Sequence, residues 1–283
     1  LTAGMRYEDV ELLNRNYTKA DPRRTGKIRI ETPNHARALL PGFGFNVKAL
    51  PILSVFGGVH KGFAPPSASL YQKAESSVNV EVGMRLTTNK MKLEAIAFNN
   101  NYSNMLGSDL AAQGGQGTLE QFNVGKAMVN GLELMFQYLP LPKHFAFQLP
   151  IQLSYTYTNT QMKNDFESSA WGHVHYGDEI PYIYKHAFNA QISLEHKRVE
   201  ANFGARFNGD MRTTPGQGKI AEREKIPAHV ILDASLKVHI NKNITISLNG
   251  INLANKKYLV SRHPSGLRAG HPLGVYGGLR LQL

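Results

Sequence analysis

Apolar and polar side chains alternate one for one along most of this chain, most clearly over residues 78–86. Val78, Val80, Val82, Met84 and Leu86 share one face there, and Asn79, Glu81, Gly83 and Arg85 share the other. A period of two marks a β-strand with one apolar face. The same alternation predicts strands over residues 1–12, 37–47, 52–60, 91–102, 129–138, 147–158, 186–195, 199–208, 229–240, 244–253 and 273–283, about twelve in all. Two are weaker: Pro41 and Gly42 interrupt one, and Ile96 and Phe98 blur the parity of another. The last strand alternates Leu279, Leu281 and Leu283 with Gly278, Arg280 and Gln282 up to the final residue, which predicts an end held in a sheet instead of fraying.

The connections alternate as well. Residues 13–36, 61–77, 103–128, 159–185, 209–228 and 255–272 are long, whereas 48–51, 87–90, 196–198 and 241–243 are short and 139–146 is intermediate. A soluble sandwich has no reason to keep its long loops at one end, but an antiparallel transmembrane β-barrel does. The polar faces carry Glu, Lys, Arg and Asp at strand centres, tolerable in a wet lumen and costly in a dry core. The predicted fold is therefore all-β, an antiparallel transmembrane barrel wall occupying residues 1–283.

Composition narrows the class further. No apolar run reaches the roughly 18 residues that would suggest a membrane-spanning helix. There is no cysteine, so disulfides and thiolate metal sites are excluded. The formal charge of +11 suits an anionic partner. The opening LTAGMRYEDV has no basic or apolar leader, which predicts either a removed signal peptide or an internal start.

Several stretches in sequence order resemble the C-terminal half of the barrel of TonB-dependent outer-membrane receptors. They are VFGGVHKGFAPP at 55–66, SSVNVEVGMRL and AIAFNNNYSNML within 76–106, VNGLELMFQY at 129–138, IPYIYKHAF at 180–188, LNGINLANKKYLVSR at 248–262, and the terminal GVYGGLRLQL. HKGFAPP is most similar to the ferric dicitrate receptor branch. The resemblance implies about twelve strands of a 22-stranded barrel, with the plug domain absent from residues 1–283. It also implies import of a ferric chelate, most simply iron-citrate, across a Gram-negative outer membrane. TonB, ExbB and ExbD would supply the energy through the plug, and outer-membrane lipid and lipopolysaccharide would surround the wall. Leu283 stands where the family commonly ends on Phe. The rival readings are a receptor of the same family for haem, another siderophore, cobalamin or nickel, and a stand-alone twelve-stranded pore or outer-membrane enzyme.

With the C-terminus in the periplasm, as the resemblance implies, the long loops lie outside and collect basic residues. Arg15, Lys19, Arg23, Arg24, Lys27 and Arg29 crowd the first, and Arg212, Lys219, Arg223, Lys225, Arg262 and Arg268 lie in the last two. Guanidinium groups grip carboxylates through paired hydrogen bonds, so Arg23, Arg24, Arg29, Arg212, Arg262 and Arg268 are ligand-binding candidates. The competing reading is contact with lipopolysaccharide phosphates or plain solvation. His60, on an inward face beside Lys61, is a further candidate. His173 and His175 point to opposite sides of an extended chain, so with Asp178 they make an ordinary polar loop sooner than a metal site, and His263 and His271 are no stronger. Iron would travel inside the chelate, so no resident cofactor or metal is expected. Tyr138, Tyr155, Tyr157, Tyr182, Tyr184 and Tyr258 fit an interfacial girdle and loop bases, not a nucleic-acid platform. No nucleophile motif joins the Ser, His and Asp residues, so no catalytic residue is expected.

Overall fold

Each alternating stretch pairs with its neighbours in sequence, giving a meander in which every long strand is antiparallel to the next. The computed structural model describes residues 1–283 apart from 18–20, 28, 68–71, 109–120, 124, 143, 169–170, 264–265 and 283. Twelve wall strands follow one another in the sheet: Thr2–Asn16, Ile30–Leu50, Leu53–Ala64, Glu75–Thr87, Met91–Ser103, Ala127–Tyr138, Ile151–Met162, His186–His196, Val199–Asn208, His229–His239, Ile244–Ile251 and Gly274–Leu281. A short strand, Phe147–Gln148, pairs with the eighth wall strand just before the seventh begins. The first and twelfth wall strands each have one neighbour in the sheet.

The register carries the alternation across the wall. Phe43 lies opposite Val59 and Val59 opposite Val80, all exposed on the apolar face that a bilayer would cover. On the other face Ser193, Asn202 and Ser235 stand in one row. Ser193 Oγ donates to Asn202 Oδ1 at 2.6 Å, and Asn202 Nδ2 donates to Ser235 Oγ at 3.1 Å. A polar row of this kind is what water in a lumen can solvate.

Two expectations about strands are revised. The second wall strand spans Ile30–Leu50 without a break and pairs with the first up to Ile30, so the first long connection is much shorter than residues 13–36. Pro41 is tolerated because pairing with the third wall strand stops at Gly42 opposite His60, leaving an edge that needs no N–H beyond that point. The blurred parity of the fifth wall strand also has a cause. Ile96 and Phe98 face the lumen, lying opposite Gly83 and Gly131 respectively; the Phe98 ring lies over Gly131, and the Phe56 ring, from the third wall strand, lies over Gly83.

Candidate functional site: the inner wall and its loop-side mouth

The inward row described above widens into a recess of about 640 Å³ lined by Asn189, Gln191, Asn202, Arg206, Asp233 and Ser235, among others. Arg206 and Asp233 are diagonal neighbours on adjacent strands, Asp233 lying opposite Gly204, with Nη2 and Oδ2 3.6 Å apart. A separate groove of about 610 Å³, lined by Ile192, Phe203, Leu236 and Leu248 among others, is almost wholly apolar and lies on the outward face. It belongs to the lipid side, where no polar ligand would be held.

Aromatic rings gather at the loop end of the inner face. His229 is buried, stacks on Tyr258 at 4.6 Å between ring centres, and meets Tyr184 edge-on at 6.1 Å. Its ring is held at both nitrogens, Nδ1 against the Pro227 carbonyl at 3.1 Å and Nε2 against Asn208 Nδ2 at 3.3 Å. Burial pushes the Tyr184 phenol above the ordinary tyrosine range; Tyr258 adds to this and Arg206 opposes it. A half-buried, neutral phenol beside a guanidinium offers both a donor and an apolar face.

Above the mouth, three long connections are tied into one body. Arg212 is buried; its Nε donates to Glu179 Oε2 at 2.9 Å and its Nη2 to the Gly218 carbonyl at 2.9 Å. The Arg212 carbonyl accepts from Tyr182 N at 2.9 Å. The Tyr182 hydroxyl in turn accepts from His263 N at 3.3 Å and Arg262 N at 3.5 Å, and Arg262 Nε donates to the Lys225 carbonyl at 2.7 Å. Residues 159–185, 209–228 and 252–273 thus support one another. Below them Ala127, Met162, Val174 and Ile180 form a small apolar core, with Tyr102, Phe166 and Trp171 packed against it.

The candidate residues fall into three settings. Arg23 and Arg24 are exposed on the first long connection, where Arg24 adopts a left-handed φ of 52° and Arg29 Nε pairs with Glu31 at 3.0 Å. Lys19, on the same connection, lies outside the described residues. His60 faces the lumen four positions below the end of its strand at Ala64, lower than a site at the mouth would be. Arg212 and Arg262 serve the loop body, and Arg268 is exposed in a two-residue ribbon opposite Ser261. The first group and the last belong to opposite ends of the strand order. His173 pairs with Glu167 at 3.1 Å, while Asp178 accepts from His175 N at 2.9 Å. Among the described residues no cluster of three or more His, Asp or Glu could hold a metal ion. Arg206, Tyr184 and His229 are absent from the sequence-based candidates. Their signal was the YKH of IPYIYKHAF and the inward parity of 206 and 229, which alternation alone does not connect.

An antiparallel meander with lipid-facing apolar rows, polar inner rows and long loops at one end is a transmembrane β-barrel wall. The family model described as "TonB dependent receptor-like, beta-barrel" matches residues 1–253, and the chain belongs to that family. Over 149 residues it is 26% identical to a probable TonB-dependent siderophore receptor, PiuA, of Acinetobacter baumannii, covering 50% of this chain and 19% of that protein. The crystal structure of the PiuA siderophore receptor from Acinetobacter baumannii superposes with a TM-score of 0.73 at 17% identity, covering 99% of this chain and 40% of that one. The unliganded ferric citrate transporter FecA gives 0.71 at 17% identity over 98% of this chain and 42% of its own. The closed form of the ferric-catecholate import receptor Fiu from E. coli K12 gives 0.70 at 19% identity over 99% and 42%. At these identities the structures share the fold, and the chain spans about two fifths of their length. These relatives are named as receptors and transporters, which agrees with the expectation of no catalytic role.

Proposed function

We propose that this chain is the C-terminal part of the wall of an outer-membrane receptor that imports an anionic ferric chelate, with ferric citrate as the first cargo. TonB, ExbB and ExbD would act on a plug seated in the completed barrel. The observation that carries this reading is the pair Arg23 and Arg24 on the long-loop side. Both are exposed and stand outside every ion pair found among the described residues, whereas Arg15 and Arg29 are committed to Glu31. Two free guanidinium groups can each grip a chelate carboxylate through paired hydrogen bonds. A basic mouth also raises the local concentration of an anion.

The relative that is 26% identical is named as a siderophore receptor, which favours another siderophore over haem, cobalamin or nickel as the second cargo. Titration of the full-length receptor with ferric citrate, followed by intrinsic fluorescence, tests the assignment. Saturable binding weakened about tenfold by Arg23→Gln with Arg24→Gln is the expected result, as loss of charge-assisted contacts requires. Saturable binding of a ferric siderophore with none of ferric citrate would replace the cargo. Binding that the double variant leaves unchanged would move the ligand contacts elsewhere, with the inner recess around Arg206 next to be tested.

A further inference from the structure

The outward face changes character along the fifth, sixth and seventh wall strands. Met91, Tyr138 and Ile151 lie opposite one another at its short-turn end. From there the outward positions of the seventh strand run through Leu153 to the phenols Tyr155 and Tyr157, then to the amides Asn159 and Gln161. The fifth strand goes from Leu93 to Asn99 and Asn101, and the sixth from Phe136 to Asn130. The register row that is Phe43, Val59 and Val80 on the second to fourth strands is thus Asn99, Asn130 and Asn159 here. Each of these amides stands eight residues from the short-turn end of its strand. At about 3.4 Å per residue and a tilt of about 40°, that is roughly 20 Å of height, close to the top of an apolar band about 25 Å tall. An amide pressed against acyl chains at that level would lose its hydrogen-bond partners, so a polar headgroup has to meet it.

Two lysines stand above the amides. Ala127 and Met162 lie opposite each other and turn inward into the small apolar core. Lys126 and Lys163, next along, therefore turn outward, and Lys163 N donates to the Lys126 carbonyl at 2.8 Å. Lys126 is exposed, and the Lys163 ammonium lies beside Gln161 Oε1 and 5.7 Å from the centre of the Tyr176 ring. No outward position on these three strands carries an acid. The outward long-loop end of the first two wall strands differs, because Asp9, Glu11 and Glu31 stand there among Arg15, His35 and Arg37. An anion would meet carboxylates on that arm and none on the amide patch.

We propose that the outward face of the fifth to seventh wall strands is a binding site for the phosphorylated glucosamine headgroup of lipopolysaccharide. Lys126 and Lys163 hold a phosphate, and the acyl chains run down over Leu132, Leu134 and Leu153. The side-chain amides of Asn99, Asn130 and Asn159 each donate and accept, which suits the hydroxyl and amide groups of an acylated amino sugar better than the single phosphate of a glycerophospholipid. Tyr155 and Tyr157 fix the depth of the patch at the boundary of the apolar band. The inference rests on the long loops facing outward and not on the identity of the cargo.

The test uses the full-length receptor in mixed micelles holding equal amounts of lipid A and phosphatidylglycerol, with retained lipids counted by native mass spectrometry. Lipid A is expected to be enriched, and the enrichment to fall about fivefold for each of Lys126→Gln and Lys163→Gln, the factor for one cation near an anionic surface. Asn130→Leu with Asn159→Leu should lower it by a similar factor, as loss of hydrogen bonds to the sugar requires. Lys126→Arg with Lys163→Arg should keep it, which separates charge from damage to the strand ends, and Lys90→Gln on a short turn should leave it unchanged. Dephosphorylated lipid A should be retained by the wild type roughly twenty-fivefold less, the two lysine factors together. Equal retention of lipid A and phosphatidylglycerol, or enrichment that the lysine and asparagine variants leave unchanged, would overturn the proposal. Chelate titration of the lysine variants should match the wild type, so that failure here and failure of the cargo assignment give different results.

Discussion

Asn252 is fully buried and adopts a left-handed φ of 50°. Its Nδ2 donates to the carbonyls of Lys256 at 2.9 Å and His271 at 2.8 Å, and its Oδ1 accepts from Lys256 N at 2.8 Å. One amide therefore folds the turn after the eleventh wall strand and ties it to the approach of the twelfth. Asn252→Ala strands three backbone groups, each costing about 1–3 kcal/mol when buried without a partner. The full-length receptor carrying it should unfold earlier in urea than the wild type, with Asn252→Asp intermediate because it keeps the acceptor; equal midpoints would refute this role. Tyr184 makes a pH prediction. Its phenol is held above the ordinary value of 10.0, chiefly by burial, so the neutral form is the one the fold favours. That contribution is complete below the unfolded value and is lost as pH rises through the folded one. The 295 nm absorbance difference between wild type and Tyr184→Phe should therefore appear later in an alkaline titration than exposed tyrosines do. An earlier transition would place Tyr184 in water.

Strand faces depend on small residues at a few crossings. A Cβ added at Gly131 would lie 2.0 Å from the Tyr157 carbonyl oxygen and 2.8 Å from the Phe98 ring, so the sixth and seventh wall strands would have to part. At Gly204 the nearest atom would be the Ala190 carbonyl oxygen at 3.8 Å, an ordinary contact. Gly131→Ala should cut the yield of heat-modifiable, folded full-length receptor sharply and Gly204→Ala should not; similar yields would show that the wall adjusts freely. Such contrasts mark the limit of what the sequence displays. Period-two alternation located all twelve wall strands, because each has one face against lipid and a slip of one residue would turn it over. It missed that Pro41 sits inside a continuous strand, since tolerance of a proline depends on which neighbour has stopped pairing. It also left Arg212 and Arg262 looking like free loop cations. Only the fold brings Glu179 and the Lys225 carbonyl to them, from positions 33 and 37 residues away.

The wall as a whole has two outer strands, Thr2–Asn16 and Gly274–Leu281, each paired on one side. Open strand edges are not tolerated in hydrocarbon, where no water satisfies their N–H and C=O groups. The 283 residues alone are therefore expected to give no steady conductance in a planar bilayer and to aggregate on refolding. Regular single-channel steps from them would establish a closed twelve-stranded pore and remove the need for further wall strands. The interlocked connections have a different consequence, for engineering. A graft of residues 209–228 into a related receptor would carry Arg212 away from Glu179, leaving a buried guanidinium without its carboxylate in one protein and the converse in the other. Tyr182 links the same region to residues 261–263. Residues 159–185, 209–228 and 252–273 are thus a single cassette, and any attempt to move binding preference between receptors through this end of the barrel has to transplant all three together.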